Sequence, residues 1–121
     1  MPQFDHEKLN VYQESIRFVA WAGDLLESIQ KSIAAHNQLD SASTSVPLNI
    51  AEGNEKHTPA DRCKFFDTAR GSALECAACL DGLVAKKKIE EKNSNEGKAS
   101  LVEIVSMLVG LIRANSPDRD V

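Results

Sequence analysis

The sequence predicts an all-α fold, an up-down-up-down antiparallel four-helix bundle, on three observations. Apolar residues recur at spacings of three and four over four long stretches. Aromatics make up only 5% of the chain while Ala, Leu, Ile, Val, Glu and Lys abound, which favours helix over strand. The 121 residues suffice for one hydrophobic core and not two, so a single domain over 1–121 is expected.

The first helix is predicted over about residues 7–35. Leu9, Tyr12, Ile16, Val19, Gly23, Leu26 and Ile33 mark one face, and Val11, Phe18, Ala22, Leu25 and Ile29 a second beside it. Together they span roughly 200°, where a helix covering one core needs little more than about 100°. The second helix, over about 38–55, carries Leu39, Ala42, Val46, Ile50 and Gly53 on one period, with Pro47 inside it. Proline deletes the bond to the carbonyl four residues back, so a kink or local break is expected at Pro47. The hydroxyls of Ser43, Thr44 and Ser45 are placed to satisfy freed carbonyls.

Thr58-Pro59-Ala60-Asp61 opens the third helix, over about 59–86, with Thr58 as N-cap and Pro59 at the first position. Its inward face reads Phe65, Ala69, Ser72, Ala73, Cys76, Leu80 and Leu83, small enough for close helix approach. The turn and cap residues Asn93, Ser94 and Asn95 precede a fourth helix over about 94–115. There Leu101, Val102, Ile104, Val105, Leu108, Val109, Leu111 and Ile112 sweep roughly 220°, again more than one core needs. Large apolar surface left over on a bundle means association, so the outer faces of helices 1 and 4 are expected to build a homo-oligomer.

Composition narrows function. Hydrophobic residues at 42% and charged residues at 26% describe an ordinary globular protein. No apolar run reaches the roughly 18–20 residues that span a bilayer, and the N-terminus does not read as a signal peptide; no membrane partner and a cytoplasmic location are expected. A net charge of −4 disfavours nucleic acid, whose binders concentrate basic residues on one face. The densest basic run, Lys86, Lys87 and Lys88, reads as a solvated helix end suited to the negative pole of the helix dipole.

Chemistry-bearing motifs are few. Cys76 and Cys79 have redox-pair spacing but fall mid-helix, with Cys63 more than a turn away, so buried structural thiols are expected. His6, His36 and His57 are scattered, and no inward pair matches a di-metal bundle, so no metal is expected. No base and orienting group surround a nucleophile, and no glycine-rich phosphate loop occurs; neither an enzyme, nor a cofactor, nor a small-molecule substrate is expected. One polar cluster stands out. Asn49 and Glu52 in helix 2, with Arg70, Ser72 and Glu75 in helix 3, are candidates for a network across the bundle that sets helix register, or else for a partner surface.

The stretch Ser45-Val46-Pro47-Leu48-Asn49-Ile50-Ala51-Glu52-Gly53 resembles the signature Ser-Ile/Val-Pro-x-Asn-Ile-Ala-Glu-Gly of the four-helix-bundle family encoded in bacterial ribosomal RNA intervening sequences. Phe65-Phe66, the run Ala69-Arg70-Gly71-Ser72-Ala73-Leu74-Glu75, and the ending Met107 to Ile112 are similar to the family's later helices. The resemblance covers about Phe4 to Ala114. It implies a four-helix bundle assembled as a homopentamer, with no defined biochemical role. A related branch, the accessory variability proteins of diversity-generating retroelements, forms a basic pentameric barrel that binds a reverse transcriptase and nucleic acid. Family members commonly carry basic residues before the signature, where this chain has Asp40 and Ser41. The leading expectation is therefore a non-catalytic oligomeric scaffold or interaction module. The alternative is a nucleic-acid-associated accessory factor using Lys86, Lys87 and Lys88, with Arg62, Lys64 and Arg70, around a ring.

Overall fold

A computed structural model describes residues 3–121. A short 3-10 turn, Asp5–Lys8, leads into four helices: α1 (Asn10–Glu27), α2 (Ala34–Glu55), α3 (Pro59–Ala85) and α4 (Glu91–Asn115). The fold is all-α, with no strand among the described residues. Consecutive helices are neighbours and α4 also lies against α1, so the four close around one core. No described helix is long and apolar enough to cross a membrane.

The core is a ladder of buried side chains at helical spacing. Helix α1 contributes Val11, Phe18, Ala22 and Leu26; α2 contributes Leu39, Val46 and Ile50. Facing them are Phe66, Ala69, Ala73, Cys76, Leu80 and Leu83 of α3, and Leu101, Ile104, Leu108 and Ile112 of α4. Phe66, rather than the predicted Phe65, takes the aromatic core position on α3; Phe65 is half-buried under the Lys56 ammonium, 5.1 Å from its ring centroid. Two glycines set helix distances. A Cβ at Gly53 would sit 2.7 Å from Phe66 Cε1 and 3.1 Å from the Arg62 carbonyl oxygen, and one at Gly97 would sit 2.4 Å from the Trp21 ring. Both helices can approach only because those side chains are missing.

The first helix is shorter than the periodicity predicts. It ends at Glu27, and α2 begins at Ala34, not Gln38. The Ser28 hydroxyl and amide both donate to the Leu25 carbonyl (2.8 and 3.2 Å), and the Ile29 amide turns back to Leu26 (3.1 Å), tightening the last turn. Ile29 is buried and Ile33 half-buried against the core, so the apolar period runs on through a segment that is no longer helical. At the other end, Leu9 is extended and α1 starts at Asn10, not residue 7.

Helix α2 runs unbroken through Pro47, which is buried, so a break there is excluded. Ser43 and Thr44 hydroxyls donate to the Asp40 carbonyl, each at 3.0 Å. Helix α3 starts as its sequence foretells: Thr58 accepts a bond from the Asp61 amide (3.2 Å), with Pro59 at the first position. Past its cap residue Lys86 the chain turns at Lys87, a left-handed residue (φ 61°), whose amide donates to the Val84 carbonyl while that of Lys88 donates to Leu83, both at 2.9 Å. That pattern of paired reverse bonds ends many helices and favours glycine at the left-handed position.

Helix α4 starts at Glu91 rather than 94. Glu90 and Glu91 place carboxylates at its positive pole, and Ser94, predicted as a cap residue, is buried inside the second turn.

Candidate functional site

The α2–α3 seam holds part of the predicted polar cluster. Asn49 Nδ2 donates to the Ser45 carbonyl (2.9 Å) and to Ser45 Oγ (3.0 Å), and Ser45 Oγ lies 2.8 Å from Ser72 Oγ. Ser45 is thus the link between helices. The sequence signals it as a hydroxyl near Pro47 and as the first residue of the signature stretch, but not as a member of the cluster. All three side chains are half-buried, so the chain fixes register at the edge of the core rather than within it.

Glu52, Arg70 and Glu75 do not join that network. Glu52 is exposed and pairs with Lys56 one turn along its own helix (3.6 Å). Arg70 is half-buried and Glu75 exposed, and neither has an ion-pair partner among the described residues. For Arg70 the reason is rotational. On α3, Ser72 and Glu75 lie towards α2, whereas Arg70, one turn before Leu74 and two before Ala77, lies towards α4.

Sequence reasoning grouped Arg62 with free basic residues, and the structure employs it differently. Its Nε donates to Asn115 Oδ1 (2.9 Å), and its Nη1 donates to the carbonyls of Asn54 (2.8 Å) and Lys56 (3.4 Å). The guanidinium also lies 5.7 Å from the Phe66 ring centroid. One side chain thereby satisfies orphan carbonyls at the end of α2 and ties in the last residue of α4. Asn54 in turn donates to Asp5 (2.8 Å), holding the N-terminal turn against α2.

The three cysteines are free and buried. Burial, with smaller contributions from Cys79 and Glu75, pushes the Cys76 thiol up to about 12, and burial with Glu75 also raises Cys79. Both sulfurs are protonated at neutral pH, the opposite of an activated thiol. Cys63 points its thiol at the Ile112 carbonyl (3.7 Å). His36 is buried near the start of α2, its Nδ1–H donating to Asn37 Oδ1 (3.0 Å). Among the described residues, no group of three or more His, Cys, Asp and Glu could hold a metal ion.

Two apolar patches face outwards. One is a groove of about 340 Å³ between α3 and α4, floored by Ala73, Ala77, Leu101 and Val105. Leu74 and Val102 rise from its walls, 55% and 69% exposed. The Lys98–Asp81 ion pair closes one end. The other patch, about 500 Å³, lies where the N-terminal turn meets α2. There Phe4, stacked on His6, and Leu48 are 73% and 61% exposed, with Asp5, Glu52 and Glu55 around them. Helix α1 was expected to share the leftover apolar surface, yet Ile16 is its one large exposed hydrophobic residue. Its second face is spent on the bundle: Val11, Phe18, Ala22 and Ile29 are buried and Leu25 packs on the core, while Trp21 beside them rests on Gly97 of α4.

No curated protein matches this chain. Among solved structures, it is similar to a protein of unknown function from the S23 ribosomal protein family of Bacteroides thetaiotaomicron. The two share 23% identity with a TM-score of 0.80, covering 85% of this chain and 98% of that one. That likeness concerns the fold. The sequence model of the 23S rRNA-intervening sequence protein family matches residues 7–110. That match reaches all four helices of the bundle: the chain belongs to the 23S rRNA-intervening sequence protein family.

Proposed function

We propose that the protein is a non-catalytic subunit of a cytoplasmic homo-oligomer, a scaffold or interaction module rather than an enzyme. The observation that carries this reading is the α3–α4 groove, where Leu74 and Val102 stand in solvent above a floor of Ala and Leu side chains. Continuous apolar surface of this kind costs free energy in water and is removed by association. The family resemblance makes five the first subunit number to test. Light scattering at micromolar concentration gives the answer: a mass several times that of one chain is expected, and a monomer overturns the proposal.

The exposed run Lys86, Lys87 and Lys88 supports a second reading, an accessory factor that touches nucleic acid. The family description names a 23S rRNA intervening sequence, so RNA is the nucleic acid to try first. Against this stand the net charge of −4 and the engagement of Arg62 within the bundle. The absence of any mobility shift at about 50 mM salt, where phosphate contacts are strongest, ends the second reading.

A further inference from the structure

We infer that the two apolar patches are the two halves of one head-to-tail contact between copies of this chain, the Phe4–Leu48 patch of one copy seating on the α3–α4 groove of the next. The inference rests on the homo-oligomer reading and adds which faces meet.

Position is the first argument. The patches lie on different flanks of the molecule, one on α2 with the N-terminal turn, the other between α3 and α4. Two unlike, mutually fitting faces on one chain make a heterologous contact, the kind that closes rings rather than two-fold dimers. Shape is the second. Phe4 and Leu48 are large, exposed side chains, whereas the groove has small side chains at Ala73 and Ala77 along its floor.

Charge is the third. Around Phe4 and Leu48 stand three carboxylates, Asp5, Glu52 and Glu55, against one lysine, Lys56. At the groove, Asp81 and Lys98 neutralise each other, which leaves Arg70, on the groove side of α3, without an ion-pair partner among the described residues. Helix α4 adds the exposed Glu103 next to Val102, so the positive charge sits on the α3 wall rather than across the whole groove. Glu52 and Arg70 do not meet inside one chain. Across the contact they are opposite charges beside a shared apolar centre, where complementary charge selects the register and burial of Phe4, Leu48, Leu74 and Val102 supplies the affinity.

The test is mass by light scattering on the full chain and four variants, with helix content followed by circular dichroism. The variants are Val102→Asp, Arg70→Glu, the pair Glu52→Arg with Glu55→Arg, and the latter pair combined with Arg70→Glu. Val102 is too exposed to matter for folding. Assembled wild type, a tenfold or greater loss of association in the first three variants, and recovery in the combined one are expected. An oligomer that survives all three, or a combined variant that stays dissociated, overturns this pairing while the homo-oligomer stands. A monomeric wild type overturns both and leaves the groove to a different partner.

Discussion

Along the flank of α3 that faces α2, contact is close. Gly53 lets the helices approach over Phe66, Arg62 caps the end of α2, and Ser45, Asn49 and Ser72 join the edges. Along the flank that faces α4, packing is equally complete at the level of Cys76, Leu80 and Leu108, but the outer rim opens into an apolar groove. The same helix thus carries one edge finished within the chain and one that is not. The difference teaches that burial of the core and completion of the surface are separate requirements. A bundle can meet the first in full and leave the second to another molecule.

The comparison breaks most directly at Phe66. Phe66→Ala empties the closed seam and is expected to cost about 3–5 kcal/mol in a denaturant melt; a loss below about 1 kcal/mol would mean that the seam is not the tighter edge. Arg62→Ala removes bonds to Asn54, Lys56 and Asn115, and should cost about 2 kcal/mol by the same measurement, since charged donors to otherwise orphaned carbonyls are worth more than neutral ones. Gly53→Ala drives a methyl against Phe66 and the Arg62 carbonyl. Overpacking, less the helix propensity gained, should leave a net loss of about 1 kcal/mol. Lys87→Gly is a control of opposite sign at the end of α3: relief of the left-handed backbone should raise the melting temperature, with a gain of about 0.5–1 kcal/mol. On the open edge, Leu74→Ser at concentrations too low for assembly should change stability by less than about 0.5 kcal/mol. A larger loss there would show the groove to be part of the core.

Much of the fold could be read from residues alone. The Thr58-Pro59 start of α3 and the C-terminus of α2 within Glu55 followed because capping chemistry is local. The continuation of helix 1 to residue 35 failed because Ile29 and Ile33 keep an apolar period that a turn can also serve. The start of α4 was placed three residues late because Ser94 has the chemistry of a cap, yet its place in the core depends on packing. Of the candidate site residues, Asn49 and Ser72 share a network and Glu52, Arg70 and Glu75 stand apart from it. Spacing places residues on a helix face, but it does not say which way that face is turned towards its neighbour.

By itself, the sequence determined that the chain is all-α, that four amphipathic segments supply its core, and that more apolar surface exists than one core consumes. Those follow from periodicity and composition, which are properties of short stretches. Only the tertiary structure decided where the surplus lies. It moved the excess from α1, whose second face is buried in the core, to the α3–α4 rim and to Phe4 and Leu48. The physical reason is that an apolar arc is counted along one helix, whereas its burial depends on how every neighbouring helix is rotated against it.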